Sequence, residues 1–200
     1  MSDQHSYPMA SESEAPGTHK EKTRRSKSFI REAIETILLA VVLYFLIDGL
    51  VARVEVKNIS MQPTLYEGEL LLVNRLAYKL GDYRQGDIIV FHFPQDLNED
   101  YIKRVIGVPG DVVVIESGKV TVNGVDLDEP YISAAPNYSG VWEVPEDMLF
   151  VLGDNRNSSY DSHSWGFVPI RNVVGRAIFI YWPLKEIRMI PRQSLSVATN

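Results

Sequence analysis

The sequence predicts an all-β domain behind a single apolar helix, and three observations carry that expectation. After residue 53 the chain falls into strand-like runs such as "DIIVFHF", "YIKRVIGV", "VVVIES" and "VVGRAIFIYW", rich in β-branched and aromatic residues. Gly, Pro, Asn and Asp punctuate these runs in "YEGE", "RQGD", "VPGD", "ESGK" and "VNGV". The last of these holds Asn123-Gly124, a strong tight-hairpin signal. No segment after residue 52 keeps a long helical period, whereas residues 37–47 read "ILLAVVLYFLI" without a charge. The body is therefore expected to consist of antiparallel sheets folded against each other, or of a partly open barrel.

In chain order, residues 1–28 are rich in Ser, Glu, Pro and Gly and hold little to bury, so a disordered tail is expected. The tail ends in a basic cluster of Lys20, Lys22, Arg24, Arg25 and Lys27 against the single acid Glu21. Residues 29–52 are expected to form a membrane anchor, since crossing a bilayer takes about 20 mostly apolar residues. Lys and Arg before the span predict a cytoplasmic N-terminus and a far-side body. A buried core helix and a cleaved secretory signal would share part of this pattern. Against cleavage, Asp48 and Arg53 stand where a small-x-small site would follow. The β-domain is expected over 53–192 and a short tail over 193–200.

The 200 residues suffice for one such domain plus appendages, and 45% hydrophobic content supplies its core. A net charge of −6 argues against a general nucleic-acid binder, which needs a basic excess or stripe. With no cysteine, the chain has no disulfides, cysteine nucleophiles or cysteine metal sites.

Chemistry enters at residues 58–65, "NISMQPTL", where Ser60 stands in a loop-like stretch. A serine hydroxyl is a weak nucleophile without a base. Of four histidines, His5 and His19 lie in the tail, which leaves His92 and His163, the latter two residues from Asp161. A lysine serves equally if burial or a nearby positive charge lowers its pKa. Lys103, in "YIKRVIGVPGD", shares a strand face with Tyr101 and Val105, opposite Ile102, Arg104 and Ile106. The ordinary reading of such a residue is an edge-strand lysine that discourages aggregation. Residues 153–169, "GDNRNSSYDSHSWGFVP", pack polar side chains between apolar runs. They suggest either a hydrogen-bonded network around a site or a solvated loop.

Four stretches, "SMQPTL", "GDIIVFHFP", "YIKRVIGVPGD" and "GDNRNSSYDSHSWGFVP", follow a basic tail and an apolar span. In that order they resemble the boxes of bacterial type I signal peptidases (leader peptidases), from about Ser28 to Pro183. The resemblance implies a Ser/Lys dyad on the all-β fold shared with LexA-type proteins. Ser60 matches the nucleophile and Lys103 the general base. Ser159 matches a serine that orients the lysine, and Asp161 a supporting acid. Asp154 and Arg156 match structural members of the same box. Met61, Leu65 and Ile102 match positions lining pockets for small residues.

Two positions depart from the pattern. Asn58 stands where Ser or Gly is frequent, and its amide is a candidate donor to the oxyanion beside the Ser60 N–H. His163 stands where an arginine paired with the aspartate is usual. The implied activity is membrane-anchored cleavage of signal peptides from exported preproteins after small residues. It would take place on the outer face of the plasma membrane, with membrane lipid as a further partner and without cofactor, metal or nucleic acid. Competing readings are a non-enzymatic anchored β-module, a self-cleaving repressor with the same dyad, and a Ser/His peptidase. The repressor would need an Ala-Gly or Cys-Gly bond, and neither dipeptide occurs in the chain.

Overall fold

The structure, a computed structural model, describes residues 19–193. The chain forms two units, Met1–Leu46 and Ile47–Asn200. The first is described by one long helix, α1 (His19–Leu50), whose last residues belong to the second unit. Its stretch Phe29–Leu50, with a mean hydropathy of 2.1, is long and apolar enough to cross a membrane.

The helix starts earlier than the anchor expected at 29. Residues 19–28, assigned above to an irregular tail, are helical, because "KEKTRRSK" is built mostly from good helix formers that continue the turn already set by the apolar span. Residues 1–18 of that expected tail, and 194–200 of the C-terminal one, lie outside the described residues. At the other end the helix stops at Leu50. Val51 and Ala52, expected in the anchor, instead open the first strand, where they pair with Asn74 and Val73.

Among the described residues the second unit holds twelve strands: β1 (Val51–Glu55), β2 (Leu70–Asn74), β3 (Ile88–Phe93), β4 (Asp96–Gly107), β5 (Val112–Glu116), β6 (Lys119–Val122), β7 (Val125–Asp126), β8 (Gly140–Glu143), β9 (Met148–Leu152), β10 (Val168–Pro169), β11 (Val173–Trp182) and β12 (Arg188–Met189). One sheet runs β1-β2-β11-β3-β4-β9-β10 with β12 added to β11, and the other runs β7-β6-β5-β8. Every pairing is antiparallel, and neither sheet closes on itself. Asn123 and Gly124 both take left-handed φ values, 53° and 79°, as a two-residue hairpin between β6 and β7 requires.

β4 is the strand around which the core is arranged. Ile102 packs against the cluster of Met61, Leu65, Leu71 and Val90. Val105 belongs to a second cluster with Ile89, Phe91 and Leu149, and Ile106 to a third with Val113, Ile115 and Phe150. With apolar clusters on its faces and β3 and β9 on its flanks, β4 buries even its two cations. Lys103 is 2% exposed and Arg104 1%.

Candidate active site

Ser60 lies in the turn that joins β1 to β2. The turn is pinned from below, because Met61 and Leu65 are both buried in the core and the Leu65 N–H donates to the Met61 carbonyl at 2.9 Å. It is also pinned from the side by residues 153–155. The Asn155 N–H donates to the Ser60 carbonyl at 3.0 Å, and its Nδ2 donates to the Ile59 carbonyl at 3.2 Å. Gly153 approaches so closely that any Cβ there would strike the Ser60 carbonyl oxygen and the Ser159 side chain. Ser60 is thereby held in a fixed, buried position.

Lys103 is buried where β4 pairs with β3, so the reading of an exposed edge lysine that discourages aggregation does not hold. Its Nζ donates to Ser60 Oγ at 2.8 Å and to the Ile102 carbonyl at 3.1 Å. The Tyr101 ring lies on the same side, 5.3 Å from Nζ. Burial pulls the lysine down from 10.5 to about 8, against the opposing pull of the Asp161 and Asp154 carboxylates. About a tenth of it is then neutral at pH 7.

Asn58 stands directly beside Ser60. Its Oδ1 accepts from the Ser60 N–H at 3.1 Å and from the Ser60 hydroxyl at 2.7 Å. The side chain thus presents an acceptor to Ser60 in this structure.

Asp161 is fully buried and caps a one-turn helix, α2 (Ser162–Trp165). One of its oxygens accepts from the Gly153 N–H at 2.9 Å, and the other lies 2.6 Å from His163 Nδ1. Asp161 therefore fixes the chain at Gly153, which in turn backs Ser60. Ser159 Oγ is buried without a hydrogen-bond partner among the described residues, so the expected bond to Lys103 is not formed in this structure. Arg156 grips Glu129 through both of its terminal nitrogens and also donates to the Gly153 carbonyl.

Asp154 accepts from Arg104 Nε and Nη2 at 2.8 and 2.7 Å and from the Thr64 hydroxyl at 2.5 Å, which ties β4 to the Ser60 turn. Arg104, Thr64, Glu129 and Asn155 were not singled out in the sequence. The available signal was Arg104 itself, a cation on the apolar face of Ile102 and Ile106. A charge there needs a buried partner.

Neither remaining histidine is hydrogen-bonded to Ser60. His92 pairs with Asp100 at 2.7 Å. His163 lies between Asp161 and Ser164 Oγ, the latter at 3.0 Å, with its ring stacked on Tyr138.

A cleft of about 680 Å³ opens between residues 53–61 and 98–102, and Asn58, Ser60, Met61 and Ile102 line it. Leu65 is fully buried and is not one of its lining residues. β1 pairs with β2 alone, and β4 meets β9 only from Arg104 onward. Both walls of the cleft therefore carry strand edges left unpaired among the described residues.

A buried serine and lysine in contact beside such a cleft have the chemistry that a nucleophile and a general base require. The family model described as "Signal peptidase, peptidase S26" matches residues 30–182. A signal peptidase I of Leptolyngbya laminosa is 42% identical over 194 residues, covering 90% of this chain and 96% of its own. A probable signal peptidase I-2 of Synechocystis sp. is 41% identical over 181 residues, covering 86% and 83%. A crystal structure of a signal peptidase I from Enterococcus faecalis aligns with a TM-score of 0.44 at 33% identity, over 48% of this chain and 97% of that one.

Proposed function

The chain belongs to the signal peptidase family, peptidase S26, and is a serine peptidase; on that premise we propose that it removes signal peptides from exported preproteins after small residues, with Ser60 as nucleophile and Lys103 as general base. The observation that carries this reading is the 2.8 Å contact between Lys103 Nζ and Ser60 Oγ, at a lysine whose burial brings it to about 8.

Neutral Lys103 takes the Ser60 proton as Oγ attacks the scissile carbonyl. The Ser60 N–H and the Asn58 amide meet the oxyanion, and one such donor is typically worth about 10²–10³ in rate. Protonated Lys103 then passes its proton to the leaving amine, and a water activated by the same lysine releases the acyl group. Asp161 supports the site through Gly153. Ser159, whose hydroxyl has no partner, is the acceptor that orients the lysine as its Ser60 contact is spent. Substrate lies extended in the cleft against the free edges of β1 and β4, with Met61 and Ile102, backed by Leu65, shaping the pockets for small side chains. The α1 span holds the enzyme in the plasma membrane. The basic cluster at residues 20–27 keeps the N-terminus cytoplasmic, and the β-domain works on the outer side.

A preprotein-cleavage assay tests the dyad. Ser60→Ala and Lys103→Ala should each lose about 10³-fold or more in rate, while His163→Ala retains cleavage. An active Lys103→Ala beside a dead His163→Ala would refute this assignment.

A further inference from the structure

The Asn58 carboxamide makes a contact that the catalytic cycle cannot keep. A single oxygen, Oδ1, accepts both polar hydrogens of Ser60, the N–H at 3.1 Å and the O–H at 2.7 Å. Ser60 has one hydroxyl proton, and while it points at Asn58 it is not available to Lys103. Lys103 accordingly donates to Oγ at 2.8 Å, so the hydrogen-bond chain runs from lysine to serine to asparagine, opposite to the direction of general-base catalysis. The Ser60 N–H, the backbone donor for an oxyanion, is occupied by the same atom.

Resting on the Ser60/Lys103 reading, we propose that Asn58 is an internal stopper of the oxyanion site: in the free protein its amide oxygen stands where the scissile carbonyl oxygen must sit, and substrate expels it before Ser60 reacts. The orientation of the amide follows from donor and acceptor matching. A fixed N–H and a hydroxyl hydrogen demand an acceptor, so Oδ1 faces them; Nδ2 there would set donor against donor. Once the substrate carbonyl takes the N–H and the Ser60 proton turns to Lys103, the matching reverses. The developing oxyanion demands donors, and a half-turn of the amide about Cβ–Cγ presents Nδ2. Asn58 is exposed at the cleft, and among the described residues its side chain is bonded only to Ser60. The turn therefore breaks those two bonds and no others. The stopper opposes substrate binding, and the turned amide assists the chemical step, so one residue acts on both with opposite signs.

Binding can be read without turnover on the full-length protein in detergent micelles carrying Lys103→Ala. The probe is a fluorescent synthetic signal peptide with Ala one and three residues before the cut, followed by anisotropy. Adding Asn58→Ala removes the stopper and should tighten peptide binding about fivefold, the scale of one net hydrogen bond. Adding Asn58→Asp keeps an acceptor oxygen on Ser60, charges it and removes the donor, so binding should weaken. A merely structural role would move both variants the same way, and that result, or no change with Asn58→Ala, overturns the proposal. Hydrogen exchange gives a second readout. The Ser60 amide should exchange faster in Asn58→Ala than in the parent, and equal rates also count against the stopper. Peptide cleavage by the Lys103→Ala parent would show instead that the dyad has failed, and the stopper with it. Weakened binding and slowed cleavage by Asn58→Ala in the otherwise native chain would reduce Asn58 to an ordinary positioning residue.

Discussion

Lys103 sits at a point of tension between catalysis and stability. Burial lowers its folded value to about 8, below the value above 10 that it has in an unfolded chain. The unfolded state therefore binds the proton more tightly, and the charged lysine costs the fold a few kcal/mol at any pH below about 8. That cost fades as pH rises from about 8 to above 10, where both states are neutral. In the proposed mechanism activity moves in the same direction, because the proposed base is the neutral amine. kcat/KM for a synthetic peptide should climb about tenfold per pH unit below about 8 and level off above it. Lys103→Met should abolish cleavage while raising the melting temperature at pH 7, and an unshifted or lowered melting temperature would show that the buried charge is not the cost described. Both members of this pair were legible in the sequence, but only through the ordered boxes. Strand alternation gave the face of Lys103 correctly and could not tell a central strand from an edge one, since neighbours in a sheet are set by residues far away in the chain. Asn58 was legible from the same boxes as a neighbour of Ser60. Whether its oxygen or its nitrogen faces Ser60 depends on which hydrogens are unpaired in three dimensions, which sequence does not specify.

At the scale of elements, the site is a crossing of three chain segments: the turn after β1, the middle of β4 and the stretch that leaves β9. Gly153 is where the third segment meets the first. Its N–H is held by Asp161, its carbonyl by Arg156, and its missing side chain leaves room for the Ser60 carbonyl and the Ser159 hydroxyl. Gly153→Ala should therefore act on function more than composition suggests. The added methyl would meet main chain, which cannot swing away as a flexible side chain does, and must push the Ser60 turn off Lys103. Cleavage should fall by about 10²-fold, the typical cost of a displacement near 1 Å at a reacting group, while the cores around β4 remain packed. Wild-type kcat with unchanged stability would show that the two segments are looser than they look. The sequence marked these elements unevenly, for physical reasons. β11 covers the run "VVGRAIFIYW" from end to end, because β-branched and aromatic residues dominate it and leave no competing period. β4 extends back through "DLNED", whose acids conceal a strand end that is exposed and paired only with β3. β8, β10 and β12, of four, two and two residues, are too short to show alternation.

For the whole molecule, the division into two units separates catalysis from placement. All three core clusters are built from residues between Ala52 and Ile190, within the second unit. In the proposed reading, lipid is the medium that buries the membrane-sized apolar stretch Phe29–Leu50. Removal of residues 1–46 should then leave the β-domain folded, with a melting temperature within about 4 °C of the intact protein, the shift that roughly 1 kcal/mol produces in a domain of this size. The shortened protein should cleave a short soluble peptide at close to the intact rate, because Ser60, Lys103, Asn58 and the cleft all lie beyond the cut. Its association with lipid vesicles should vanish. Cleavage of a preprotein held in those vesicles should fall by about 10²-fold, since enzyme and substrate no longer share a surface and lose the effective concentration that a common tether provides. Equal losses on the soluble peptide and on the vesicle-held preprotein would indicate that the helix shapes the site itself. Loss confined to the vesicle-held substrate is the outcome expected of an anchor.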